Sequence, residues 1–447
     1  QATLDQVPII DQRSTTVGLS WKRNYKSGKG FMTTALSTNR LENVFSRYEN
    51  NTTKTGTIFQ NDSYEWETKL RYQTTHFIDQ WKWAAGFNLQ KSSYKNNTVF
   101  NYYDISYNTT LNFAKYGFFV KGSRKLFNDR MNLSFGLRTD ADSFSQGSNL
   151  LNNVSPRAAF SYSLSENQQW KLNASVGRYF KIPTYTMLGF QDSRSLFSNK
   201  DASYIQSDHY VAGLEYNLTP ISRVTVEGFL KNYANYPISV IDGVSLANKG
   251  GGFEVLGNEE ILSEGTGQSK GVELLFQQKL SNNFYGVFAY TYFFSEFTGI
   301  DRVTRPSVWD SRHLISFSGG YKLKRSWEVS ARWRYAGKNP YVPTNLEATI
   351  DSYPEIILDY DRLGEVTLNS FSQADIRFDK KWNFKNLSFN LYFEVQNFLA
   401  QPNPTPEEYG LNRDLNGGII LPRSLVTVST NGGNNTPLPS FGFVLYF

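Results

Sequence analysis

Ser440-Phe441-Gly442-Phe443-Val444-Leu445-Tyr446-Phe447 closes the chain. Side chains along an extended strand point alternately to opposite faces, so Phe441, Phe443, Leu445 and Phe447 share one face. Gly442 lies five positions before the terminal Phe447, and the apolar Leu445 lies two before it. The same alternation recurs upstream. Trp327, Val329, Ala331, Trp333 and Tyr335 point one way, and Glu328, Ser330, Arg332 and Arg334 the other. Leu387, Phe389, Leu391, Phe393 and Val395 alternate with Ser388, Asn390, Tyr392, Glu394 and Gln396. Trp170 to Gly177, Met131 to Arg138 and Trp81 to Leu89 repeat the pattern. Each stretch has about nine to eleven residues, the length of a tilted strand crossing a bilayer.

Composition agrees with strands that meet lipid on one side only. Hydrophobic residues make up 39% of the 447, too few for a bundle of membrane helices, and no apolar run is long enough to span as a helix. Aromatics reach 16%, with 28 Tyr and 34 Phe, which suits girdles at two membrane interfaces. There is no Cys. The net charge of +6 is spread without a basic cluster, so it reads as solvated loops and lumen and not as a nucleic-acid surface. No signal peptide precedes Gln1, which starts either a mature chain or a fragment.

The joints between strand-like stretches alternate in length. Short polar turns fall near 25–30, 77–80, 127–130, 165–168, 219–222, 281–283, 324–326 and 383–385. Long joints rich in Asn, Gly, Ser, Pro and Tyr fall near 50–62, 92–109, 140–153, 182–206, 236–268, 297–310, 338–368 and 400–437. Short turns at one end and long loops at the other describe an all-β, transmembrane antiparallel β-barrel of about seventeen strands. It would run from Ser14 to Phe447, with 1–13 as an extracellular segment. An odd, open sheet leaves backbone groups unpaired in lipid, so the expectation is the C-terminal part of a larger barrel.

Several motifs carry a family resemblance. The longest runs from Asn369-Ser370-Phe371-Ser372-Gln373-Ala374-Asp375-Ile376-Arg377-Phe378-Asp379 to Leu391-Tyr392-Phe393-Glu394-Val395-Gln396-Asn397-Phe398. Gly136-Leu137-Arg138-Thr139-Asp140, Ser155-Pro156-Arg157, Ala174 to Phe180 with Pro183, Gly271-Val272-Glu273-Leu274 and Trp309-Asp310-Ser311-Arg312-His313 precede it in order. Together they resemble the TonB-dependent receptors, especially those of Bacteroidota. The ending with Gly442, Leu445 and Phe447 resembles the signal by which Gram-negative outer-membrane barrels are recognised for insertion. The resemblance implies a multi-pass protein of the bacterial outer membrane, with a barrel of about 22 strands around a plug. Counted back from Phe447, this chain would hold about the sixth to the twenty-second. No match to the plug, to the segment that engages TonB or to the first strands is found. The implied partners are outer-membrane lipid, the plug domain and TonB through a segment absent from this chain, the barrel-assembly machinery and a surface lipoprotein. Nucleic acid is not among them.

The implied function is energy-coupled uptake of a ligand: a metal chelate, glycan, peptide or vitamin. A non-transporting barrel within a larger assembly is the alternative, and a passive barrel of about eighteen strands a third. Loop aromatics Tyr185, Phe190, Phe197, Tyr204, Tyr341 and Tyr353 either stack on a ligand or pack on one another. Inward polar residues Lys171, Asn173, Arg332, Arg334, Asp375, Arg377, Glu394 and Gln396 either line a solvated lumen or meet plug and substrate. The carboxylates Glu347, Asp351, Glu355, Asp359, Asp361 and Glu365 lack Ca²⁺-loop spacing and read as a solvated acidic loop. His76, His209 and His313 are far apart and read as structural. No hydrolase elbow, zinc helix or Walker loop occurs, so the chain reads as no enzyme, with no catalytic residue, metal site or cofactor. Deleting Phe447, or replacing it with a charged residue, is expected to lower assembly. Unchanged yield of heat-modifiable barrel would refute that role.

Overall fold

The computed structural model describes residues 8–250, 255–415, 418–429 and 435–447. Residues 1–7 of the expected leading segment lie outside that range. One antiparallel sheet dominates, with seventeen long strands in chain order. They are β1 (Ile9–Asn24), β2 (Gly30–Asn50), β3 (Thr55–Ile78), β4 (Trp81–Phe100), β5 (Ile105–Leu126) and β6 (Met131–Asp142). Next come β7 (Val154–Ser163), β8 (Trp170–Lys181), β9 (Ile205–Thr219), β10 (Ser222–Ser239), β11 (Ile261–Ser281) and β12 (Phe284–Thr298). Then follow β13 (His313–Lys322), β14 (Trp327–Ala336), β15 (Phe371–Asn383), β16 (Ser388–Gln396) and β17 (Leu438–Tyr446). A three-residue strand, Thr304–Pro306, also pairs with β12. Among the described residues no helix is long and apolar enough to cross a membrane.

Every long strand pairs with its chain neighbours, so the sheet is a continuous meander. All eight expected short turns occur. Asn282 and Asn283 both take positive φ (48° and 68°), the conformation of a type I′ hairpin, which Asn tolerates. Among the described residues β1 pairs only with β2, and β17 only with β16, so each leaves one edge unpaired.

Register fixes the faces. Trp333 stands opposite Ala374, while Arg334 stands opposite Gln373 and donates to its Oε1 at 2.8 Å. Phe441 lies opposite Phe393 and Phe443 opposite Leu391, on the same apolar face as Trp333. This face is exposed along the sheet: Leu19 is 77% exposed, Trp66 59% and Phe443 65%. The other face carries ion pairs such as Arg377–Asp379 at 2.8 Å and Lys171–Glu215 at 3.4 Å. Gly442 belongs to this polar face, beneath the ring of Tyr392, over which the Arg377 guanidinium lies at 3.8 Å. A Cβ at 442 would come within 2.6 Å of Tyr392 Cζ, so a larger residue there would have to displace that ring.

Two expectations need correction. The first strand begins at Ile9 and not at Ser14. The joints expected at 50–62 and 92–109 are not loops. β2 to β5 run 21, 24, 20 and 22 residues and form tall hairpins whose turns are only 51–54 and 101–104. Their upper halves are rich in Asn, Ser and Thr, which favour turns locally. Cross-strand pairing wins: Asn61 Nδ2 donates to Asn96 Oδ1 at 2.9 Å and to Thr98 Oγ1 at 2.8 Å, with all three side chains buried. Trp333→Asp, on the apolar face, is expected to cost about 2 kcal/mol more than Arg334→Asp on the polar face at mid-depth. Equal yields of assembled barrel from the two variants would refute this assignment of the faces.

Candidate functional site

The tall hairpins build a platform. On the polar side of β4 and β5, alternate residues Ser92, Tyr94, Asn96, Thr98, Thr109 and Leu111 are all almost fully buried. What buries them is the segment between β8 and β9, which turns inward over the strand ends. Its short helix α1 (Tyr185–Leu188) sets Tyr185, Met187 and Leu188 against Tyr94, Leu111 and Phe113. Ala202, Leu246 and Ile261 complete this apolar cluster, so the segment before β11 joins the same cap. Burying such side chains stabilises by about 1.5–3 kcal/mol each, enough to hold a loop against its lost freedom.

Polar contacts set the geometry of the cap. Asn199, wholly buried, donates through Nδ2 to the carbonyls of Met187 and Glu259, each at 2.8 Å. Its Oδ1 accepts from Ile261 N at 2.9 Å. One amide thus ties the segment that carries α1 to the one before β11. The Tyr185 hydroxyl bonds Glu67 on the wall, which also pairs with Lys115 at 3.2 Å and Lys69 at 2.6 Å. Tyr204 donates to Asp142 at 2.9 Å, and the other oxygen of Asp142 accepts from Phe144 N and Ser145 N. Lys249 bridges Asp242 at 2.5 Å and Glu259 at 2.7 Å.

A third segment, between β14 and β15, reaches the opposite side of the sheet. Its helix α2 (Leu346–Ser352) is capped by Asn345, whose Oδ1 accepts from Ala348 N at 3.1 Å. Beyond α2, Arg47 of β2 donates to Pro354 O at 3.2 Å and pairs with Glu355 at 3.4 Å. The contact joins residues 308 apart in the chain. Phe45, Phe59, Lys249, Ile357 and Tyr360 line a cavity of about 240 Å³ between this strap and the cap.

The expected ligand-binding aromatics therefore lie as follows. Tyr185, Phe190 and Tyr204 all lie on the cap segment and are 8%, 8% and 6% exposed, but only Tyr185 belongs to its apolar cluster. Phe190 packs edge-on to Tyr107, and Phe197 edge-on to Phe144. Tyr353 is buried beside α2, and Tyr341 is half-buried in a two-residue strand paired to Val366–Thr367. The three histidines are not brought together. His76 stacks on Tyr25, His209 meets Tyr179 and His313 meets Tyr292. Among the described residues no three His, Cys, Asp or Glu side chains are placed to hold a metal ion. Asn199 and Lys249 escaped the sequence reading, because an Asn or Lys in a polar loop has no pattern before the loop folds back.

The cap holds its protons tightly. Burial raises the Tyr204 pKa, and the Asp142 charge raises it further. Burial and the bond to Glu67 do the same at Tyr185. At Lys249 burial lowers the pKa, but Glu259 and Asp242 outweigh it and leave it raised. Groups raised on folding stabilise fully below their unfolded values, here 10.0 for Tyr and 10.5 for Lys, and lose that contribution as pH rises through the folded values. Protease cleavage within 182–204 and 240–260 should be steady from about pH 6 to about pH 9 and quicken above about pH 10. Quickening on the acid side alone would contradict this. Asn199→Ala should loosen the cap by about 1–3 kcal/mol through orphaned carbonyls, visible as faster cleavage at neutral pH.

The family model described as "TonB dependent receptor-like, beta-barrel" matches residues 2–398. No curated protein matches the sequence. Among solved structures, the pyoverdine receptor FpvA of Pseudomonas aeruginosa PAO1 is similar at 13% identity and TM-score 0.66, over 98% of this chain and 62% of that one. The copper transporter OprC matches at 14% identity and TM-score 0.64, over 98% and 65%. The ferric-catecholate import receptor Fiu from E. coli K12 matches at 11% and 0.63, over 98% and 64%. At these identities the likeness is one of fold. The chain spans less than two thirds of the length of each.

Proposed function

The chain belongs to the TonB-dependent receptor β-barrel family, and from that premise we propose that it forms most of the wall and outer mouth of an outer-membrane uptake receptor. The observation that carries this reading is the combination of two sheet edges that are unpaired among the described residues with inward-folded loops. Unpaired strand edges do not persist in lipid, because each exposed N–H and C=O there costs several kcal/mol. In this reading further strands join β1 to β17 and close a barrel of about 22 strands, a plug fills the lumen, and TonB acts through a segment outside this chain. Short turns then face the periplasm, and the cap and strap face outward.

Ligand meets the mouth first, where apolar walls stand beside a few charged groups: Arg47, Lys249, Asp242 and Glu259. Tyr341 and Tyr353 sit in the strap, and Tyr185, Phe190 and Tyr204 in the cap. A ligand that shifts either segment would uncover these rings for stacking. Ligand chemistry is left at the level of metal chelate, glycan, peptide or vitamin. A surface lipoprotein would dock on the outer loops, and the C-terminal strand with Gly442, Leu445 and Phe447 would be presented to the assembly machinery.

The test is the intact, denatured mass of the polypeptides in the native membrane complex, followed by transport. A species well above 51.2 kDa, or a companion fragment, is expected, together with ligand accumulation that stops when TonB is inactivated. A single species at this chain's mass would overturn the shared wall. Accumulation indifferent to TonB would favour a scaffold or passive barrel.

A further inference from the structure

The polar face is largely self-neutralised. Glu67 pairs with Lys69 and Lys115, Glu215 with Lys171 and Arg223, and Asp379 and Glu394 with Arg377. Among the described residues Glu227, Glu273 and Arg332 on this face also form no ion pair, but one band gathers cations alone. Register places Arg71 of β3, Lys82 of β4, Lys121 of β5, Arg157 of β7 and Lys231 of β10 on the polar face. Among the described residues none of the five forms an ion pair. Three instead lie over rings: Lys82 at 5.9 Å from Phe77, Arg157 at 4.3 Å from Tyr179 and Lys231 at 5.1 Å from Phe229. Arg138 of β6, inside the band, has its own partner in Asp140.

Small residues make the band concave. Gly136 stands between Lys121 and Arg157 across the strands, and Ala84, Ser134, Ala159 and Ser175 surround it. The depression is lined by Arg71, Lys82, Lys121, Arg138 and Arg157, with Gln73 and Asn132, and by no Asp or Glu. Glycine and alanine give no side-chain bulk here, so a partner's surface can approach the backbone while long cationic side chains fold round it. In a lumen walled by low-dielectric lipid and protein, several like charges without counter-charge raise the local potential and favour an anionic partner.

We propose that this band is the seat of a carboxylate-bearing face of the domain that fills the lumen. The proposal rests on the reading above that such a domain exists. The band spans strands from β3 to β10, a width suited to a protein surface, and fixed cations on rigid strands complement a fixed set of carboxylates. Arg71 and Arg157 offer forked, bidentate contacts, and Lys82, Lys121 and Lys231 offer point charges.

Photo-cross-linking in the complete receptor, as isolated from outer membranes, tests this. A benzophenone amino acid replaces Ser134 or Ala159, small residues between the cations, and the captured peptide is sequenced by mass spectrometry. The expected product joins the barrel to an Asp- or Glu-rich stretch of the lumenal domain. It should be lost in Lys121→Glu/Arg157→Glu, weakened in Lys121→Gln/Arg157→Gln, kept in Lys121→Arg, and restored by Lys substitutions at the captured carboxylates. Heat-modifiable yield confirms that each variant assembles. Capture of a neutral or basic stretch, or capture unchanged by charge reversal, overturns the proposal. Unchanged capture with a shift of channel selectivity from anions to cations assigns the band to a mobile anion and equally overturns it. A native complex whose mass leaves no room for a lumenal domain rejects the underlying functional reading, whereas such a domain present but not captured rejects this proposal alone.

Discussion

The backbone hydrogen-bond ladder is the constraint on which everything else here depends. A strand with an apolar outer face satisfies its N–H and C=O groups through its neighbours, and the meander from β1 to β17 pairs each internal strand on both sides, apart from bulges and the upper half of β5, which pairs with β4 alone. Once the ladder is set, the pleat assigns each side chain to a face, and a slip of one residue would send Trp333 and Arg334 to the wrong sides. The cross-strand pairs on the polar face, Arg377 with Asp379 and Lys171 with Glu215, reinforce the same register.

The long-loop end obeys a second rule: a polar strand that rises beyond the apolar band must still bury or solvate its groups. In β2 to β5 this is met by rising as hairpins and then being covered. The alternation that puts Trp81 and Leu89 towards the apolar side continues upward and puts Ser92, Tyr94, Asn96 and Thr98 inward, under α1. Asn199 makes the cover specific, since a buried amide left without its three partners would be costly. The strap adds a long-range contact through Arg47 and Glu355. The rings of the cap are therefore structural in this conformation, and any role in ligand recognition proceeds through movement of the segments that carry them.

Local consistency explains how much was legible beforehand. Alternation in Trp327–Ala336 and at the C-terminus gave both the strands and their facing, because a strand's period is set by backbone geometry alone. Polar turns such as Asn282-Asn283 were legible because positive φ selects few residue types. The stretches 50–62 and 92–109 misled, because Asn, Ser and Thr prefer turns in isolation and become strand only when a partner strand supplies bonds. Gly442 was visible as part of a terminal pattern, but its steric reason lies in the ring of Tyr392, on a strand some fifty residues earlier by order of magnitude.

By itself the sequence determined the strand count, the eight short turns, the apolar and polar faces and, through ordered motifs, the family. These depend on periodicity and local backbone preference, which short stretches carry. Tertiary structure alone decided that two long joints are hairpins, that the segments around α1 and before β11 close over the wall, that one asparagine binds them, and that Arg71, Lys82, Lys121 and Arg157 share a depression lined by no carboxylate. Those outcomes join residues far apart in the chain, and no local pattern encodes which distant group a loop will meet when it folds inward.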